Sequence, residues 1–140
     1  MEIKKWHVYL ADLNPHMGTE PGKVRPVVVV QTDLLNEIHP STVVCPATTN
    51  VQPRARFLRV QLTAGEGGLA ELSDVMVDQI RAIDNRRFLR ELGTISRQSQ
   101  VRLTANLSGF SWPNSDRWGD TQVVHKQCSA RDESKSRVER

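Results

Sequence analysis

Along most of the chain apolar residues recur at every second position in short runs, the period of strands and not of helices. Residues 7–13 (HVYLADL) put Val8 and Leu10 on one side and Tyr9, Ala11 and Leu13 on the other. Residues 27–31 (VVVVQ) set four β-branched side chains in succession, which predicts a central strand buried on both faces. The run STVVCPATT (41–49) predicts another strand, with Pro46 marking a bulge or an edge because proline brings no N–H to a ladder. FLRVQLTA (57–64) alternates as a strand should. DVMVDQIRAID (74–84) predicts one bent strand or two short ones, and RELGTIS (90–96) a further one. Between these, residues 14–26 are dense in Gly and Pro and predict a long mobile loop. DLLNEI (33–38) predicts about one helical turn capped by Thr32 or Asp33. Only at residues 96–107 does the period lengthen to that of a longer helix, with Ser96 as N-cap and Val101, Leu103 and Leu107 as its apolar positions.

Five or six short strands and one closing helix predict a mainly β chain, a small and partly closed barrel with a helical flank. From about Trp112 the periodicity stops. Residues 113–140 are almost wholly polar toward their end and bury too little apolar area to offset the entropy of ordering them. The expected organisation is one domain over residues 1–112 and a disordered or loosely attached tail over 113–140. Acidic residues interspersed with the basic ones nearly cancel the tail's charge, which argues against a basic arm.

Composition narrows the class. With 38% hydrophobic and 25% charged residues the chain can build one core, and no run approaches the ~18 apolar residues of a membrane span. The short apolar stretch at the N-terminus is interrupted by Asp12 and lacks a following cleavage motif, so no secretory signal is expected. Cys45 and Cys128 lie far apart without spaced Cys or His partners, which points away from a disulfide scaffold or a zinc site and toward a reducing cytoplasm. No metal and no cofactor are expected. The formal net charge of +3 permits contact with an anionic polymer without demanding it.

Three clusters carry candidate chemistry. The Gly/Pro loop offers His16, Thr19, Glu20 and Lys23 and feeds a strand that opens with Arg25. Glycines let backbone approach a phosphate, and arginine presents a planar fork of donors to its oxygens. Arg25 can equally cap a barrel edge. The strand CPATTN ends in Thr48, Thr49 and Asn50, whose hydroxyls and amide can donate to a phosphate or make local turns to backbone N–H groups. Asp78, Gln79 and Arg81 are polar residues in an otherwise apolar stretch, where they bind a ligand or satisfy one another or a neighbouring subunit.

Taken in order, VYLADLNP, GTEPGKVRPVVVVQ, HPSTVVCPATTN and DVMVDQIRAID-x-RR resemble the MazF/PemK toxin family, with similar spacing over about residues 3–108. The resemblance implies an SH3-like barrel of the CcdB/PemK kind, a homodimer, and inhibition by a cognate antitoxin whose tail occupies an RNA groove. It implies a metal-independent, sequence-specific endoribonuclease that cuts single-stranded RNA, with the 2′-hydroxyl attacking the phosphate to leave a 2′,3′-cyclic phosphate and a 5′-hydroxyl. The arginine of the family's G-x-R-P motif falls on Arg25, its catalytic threonine on Thr48 and its loop glutamate on Glu20. Arginine is a poor base, since its pKa lies above about 12. Arg25 is therefore expected to stabilise charge first and to donate a proton second, with Glu20 a base or a positioner of the loop. Thr19, Lys23, Thr49, Asn50, Arg54, Arg56, Asp78, Gln79 and Arg81 are the expected RNA contacts.

The chain departs from the family pattern in places. Trp6 and His7 stand where Gly-Asp or Gly-Glu is usual, and Pro21 and Lys23 where Gln and Gly are frequent. A loop histidine and a later arginine of the Kid/PemK branch fall on Thr19 and Met76, with only Asp78 kept, so the resemblance is to the MazF branch. Two other functions share the fold class: a gyrase-gripping toxin of the CcdB type, which leaves Arg25 and Thr48 unexplained, and an inactive relic that binds RNA or antitoxin.

Overall fold

The computed structural model describes residues 1–15, 23–55 and 58–111. The loop that carries His16, Thr19 and Glu20, the residue Arg56 and the expected tail at 113–140 lie outside the described residues. Seven antiparallel strands form: β1 (His7–Asp12), β2 (Val24–Val29), β3 (Ser41–Thr48), β4 (Arg59–Leu62), β5 (Ser73–Met76), β6 (Arg81–Asp84) and β7 (Phe88–Thr94). A one-turn helix α1 (Asp33–Asn36) follows β2, and the longer helix α2 (Arg97–Ser111) follows β7. The sheet order is β4-β5-β3-β2-β1-β7, with β6 also paired to β3. No described helix is long and apolar enough to cross a membrane.

The valine run behaves as its composition dictates. β2 lies between β1 and β3, and Val27, Val28 and Val29 are fully buried. Val28 joins one core with Val8, Cys45, Val60, Leu62, Val75, Val77 and Leu103, while Val27 and Val29 join a second with Tyr9, Ala11, Leu13, Val44, Ile83 and Phe88. Two cores on opposite faces of one sheet fix its register, since a slip of one residue would exchange them. Burial holds the Cys45 thiol in its protonated form, with its pKa pushed up to about 12, and the negative charge of Asp78 adds to the effect.

β3 is the strand on which the fold turns. Its first half pairs with β6 (Ser41↔Asp84 to Val44↔Arg81), and its end pairs with β5 (Ala47↔Val75, Thr48↔Asp74). Pro46 is not at an edge: it is buried and paired with Val27 of β2. On its other side β3 has left β6 and not yet met β5, opposite the short turn Val77–Gln79, so no partner strand requires its N–H. That turn also divides residues 74–84 into two short strands and takes Asp78 and Gln79 out of the sheet.

α2 starts as expected. The Ser96 hydroxyl accepts the Ser99 N–H at 3.2 Å, and Glu66 accepts the Ser96 N–H at 3.0 Å. Leu103 is fully buried, and Leu107 packs on the same core. Val101, expected on the apolar face, is 57% exposed. Two residues span about 200° of helix, so the turn that buries Leu103 points Val101 outward. Gly68, at φ +77°, packs its Cα against the backbone of β7, where an added Cβ would lie 2.0 Å from the Leu92 carbonyl oxygen.

Candidate active site on the shared strand

The register of the sheet assembles the candidate site. Ala11 of β1 is paired with Arg25 of β2. The β2–β3 pairing runs from Val29↔Val44 through Val28↔Cys45 to Val27↔Pro46, and Arg25 and Thr48 each stand two residues beyond its last pair. Thr48 is paired with Asp74 of β5, and Asp74 with Gln61 of β4. Strand side chains alternate between faces, so Thr48, Asp74 and Gln61 form one polar row across three paired strands, and Arg25 of β2 shares their face, opposite Val28, Cys45, Val75 and Val60. With strands about 4.8 Å apart, a guanidinium and a hydroxyl on adjacent strands can reach one phosphate together.

Both ends of the neighbouring segments are held. The Thr48 Oγ accepts the Asn50 N–H at 3.1 Å, so the local-turn reading of Thr48-Thr49-Asn50 is realised. That contact uses the oxygen's lone pair and leaves the hydroxyl proton to donate, so the two readings are compatible. At the start of β2, Asn14 accepts the Lys23 N–H at 2.8 Å and Leu13 donates to the Lys23 carbonyl at 2.9 Å. Arg87 donates to the carbonyls of Asp12, at 2.9 Å, and Asn14. These bonds close the stem of the loop at 16–22 two residues from Arg25.

The remaining expected contacts divide by position. Thr49, Asn50 and Arg54 are exposed on the segment after β3, and Lys23 is exposed at the loop stem. Asp78 is exposed and Gln79 half-buried in the Val77–Gln79 turn. Arg81, half-buried, shares the face of Arg25 and Thr48 but pairs with Val44. That places it four β3 residues from Thr48, roughly 13 Å at ~3.3 Å per residue. Its Nη1 is buried without a hydrogen-bond partner among the described residues. Among the described residues no group of three or more His, Cys, Asp or Glu side chains is arranged to hold a metal ion.

Sequence reasoning missed Asp74 and Arg59. Asp74 is 2% exposed, accepts the Gln52 N–H at 2.7 Å and pairs with Arg59 at 3.4 Å; Arg59 also donates to the Asn50 carbonyl at 2.9 Å. The one readable signal was an aspartate at the head of an apolar run.

A small antiparallel barrel with one flanking helix, and an arginine and a threonine on one face of its two central strands, define the class. The chain belongs to the family of PemK-like, MazF-like toxins of type II toxin–antitoxin systems, whose description matches residues 4–110. It is 38% identical over 87 residues to endoribonuclease EndoA of Bacillus subtilis (strain 168), covering 62% of this chain and 75% of that one. The fold is similar to the crystal structure of MazF from Deinococcus radiodurans, with a TM-score of 0.66, 22% identity and coverage of 79% and 96% of the two chains. It is also similar to an endoribonuclease solved in complex with its cognate antitoxin from a mycobacterial species, at a TM-score of 0.59, 18% identity and coverage of 76% and 90%.

Proposed function

We propose that the chain is a sequence-specific endoribonuclease that cuts single-stranded RNA, mRNA above all, in the cytoplasm. The observation that supports the reading is the strand alternation that gives Arg25 and Thr48 one face of the barrel, each two residues beyond the last β2–β3 pair. In the proposed reaction the substrate's own 2′-hydroxyl attacks the adjacent phosphorus and the 5′-oxygen leaves. The products are a 2′,3′-cyclic phosphate and a 5′-hydroxyl. Because the nucleophile belongs to the substrate, the reaction needs no metal. It needs in-line geometry, stabilisation of the phosphorane's charge and two proton transfers. Arg25 supplies fixed charge and a donor fork, and Thr48 a neutral hydrogen bond. Glu20, three residues before Lys23 in the sequence, serves as base or orients the loop. Lys23, Thr49, Asn50, Arg54 and Arg81, together with Thr19 and Arg56 outside the described residues, are the proposed RNA contacts.

By family and by the named mycobacterial complex, the partner that restrains the chain is a cognate antitoxin. A homodimer is expected as well, since β4 and β7 end the sheet path and an isologous contact covers such edges.

Incubation of the purified protein with long single-stranded RNA in EDTA, followed by mapping of the new ends, tests the reading. Cuts at a short motif with cyclic-phosphate ends are expected, and Arg25→Ala should reduce the rate about 10²–10³-fold, the effect of removing one preorganised donor. RNA left intact across several sequences, or an Arg25→Ala protein as active as the wild type, would overturn it.

A further inference from the structure

We infer that Arg59 and Asp74 are a positioning pair for the Thr48 hydroxyl, holding the 48–52 turn in the one shape that presents it; the inference rests on the ribonuclease reading above. Three facts converge on the same short turn. Its N-terminal end is paired by register to Asp74 itself, through Thr48. Its middle is gripped by Arg59, which donates to the Asn50 carbonyl at 2.9 Å, while the Asn50 N–H reaches back to the Thr48 Oγ at 3.1 Å. Its far end is tied by the Gln52 N–H to Asp74 at 2.7 Å.

A single residue, Asn50, thus connects Arg59 to Thr48 through its own peptide groups. Asp74 is the anchor: 2% exposed on β5 between β3 and β4, it keeps the guanidinium in place by charge and accepts the turn's last N–H. At that burial it does not touch a substrate. Its action passes through the turn, so both residues are positioning residues. A hydroxyl that must donate to a phosphate in the transition state loses most of its effect when displaced by about 1 Å, a misplacement that can cost about 10²-fold. Without the pair, the exposed residues Thr49 and Asn50 keep the Thr48 contact, and the threonine rotamer is free to turn its proton elsewhere.

The pair also sets the wall of a groove. Arg59, Gln61 and Asp74 line it from the sheet, Gln52 from the turn, and Arg102 and Asn106 from α2. Asn106 donates to the Arg59 carbonyl at 3.4 Å and Arg102 to the Gln61 carbonyl at 3.2 Å, so the helix braces the strand that carries the clamp.

The test compares wild type, Arg59→Gln, Asp74→Asn and Arg59→Lys in the full chain on an RNA oligonucleotide containing one mapped cut site. Arg59→Gln and Asp74→Asn should lower kcat about 10–100-fold with KM within threefold, and Arg59→Lys should recover most of the loss. In a Thr48→Val background Arg59→Gln should cost less than about twofold, because residues acting as one unit are not additive. Amide exchange at Asn50 and Gln52 should accelerate at least about tenfold in Arg59→Gln while Val44 and Cys45 keep their protection. Losses that multiply fully with Thr48→Val would overturn the proposal, as would unchanged exchange at Asn50 and Gln52. If the wild type cuts no RNA, the ribonuclease reading fails, and the exchange result still decides whether the pair holds the turn.

Discussion

Thr48→Val separates a chemical role from a structural one. Valine has the shape of threonine and suits a strand, so the Thr48↔Asp74 pairing and the packing beside Pro46 are kept. The structure gives the stability term. One neutral hydrogen bond, from the exposed Asn50 N–H, is lost, and water replaces it. The cost is at most about 0.5–1.5 kcal/mol. A domain of this size is stable by about 5–15 kcal/mol, so the variant remains folded, with a Tm lower by no more than roughly 4–8 °C. The chemical term is larger. Loss of one preorganised donor to a developing oxyanion costs about 2.7–4 kcal/mol, or roughly 10²–10³ in rate. Single-turnover cleavage of an RNA oligonucleotide should therefore slow by at least about a hundredfold at a temperature where circular dichroism shows the variant folded. Thr48→Ser, which keeps the hydroxyl, should stay within about tenfold of wild type. A Thr48→Val protein that cuts within threefold of wild type would refute the role of the hydroxyl. A Thr48→Ser protein as slow as Thr48→Val would show that side-chain shape, not the proton, is what matters.

The remaining predictions concern the scaffold. Leu103→Ala should destabilise the fold by about 2–5 kcal/mol in urea, whereas Val101→Ala, on the outer face of the same helix, should change it by less than about 0.5 kcal/mol; equal effects would mean that α2 docks on a different face. Gly68→Ala and Gly109→Ala should move Tm in opposite directions. Gly68 combines φ +77° with a Cβ that would meet the Leu92 carbonyl oxygen, and forcing β7 off this turn should cost more than about 2 kcal/mol; at Gly109, inside α2, an added Cβ meets nothing within 4 Å and alanine gains roughly 0.5–1 kcal/mol of helix propensity.

Particular residues show how far the sequence could be read. The four valines placed β2 at the centre of the sheet because burial on both faces leaves no other use for such a run. Ser96 marked the start of α2 because a hydroxyl there satisfies an otherwise orphaned N–H. Arg25 and Thr48 stood out by family spacing, but their common face depends on the β2–β3 register, which two separate cores fix and no local pattern states. Pro46 misled for a related reason. Proline signals an edge only if both sides of its strand are paired, and here β3 changes partners beside it. The Arg59–Asp74 pair was beyond reach, because its members lie 15 residues apart and meet only through β4–β5 pairing. Val101 was assigned by apolarity alone, when the helical angle from Leu103 would have turned it outward.

Cys45 gives the sheet a chemical clock. At a pKa of about 12, only on the order of 10⁻⁵ of the thiol is ionised at neutral pH, and the side chain is wholly enclosed, so alkylating reagents find nothing to attack in the native molecule. β3 is bound on its two edges by β2, β5 and β6, so the sulfur cannot be uncovered by fraying at a terminus. Its modification has to wait until the central strand parts from its neighbours. With Cys128 replaced by serine, the rate at which a thiol reagent consumes the protein therefore measures how often the whole barrel comes apart. Any molecule that grips the folded barrel slows that rate in proportion to its occupancy, so one buried sulfur can report the arrival of a partner without a label on either.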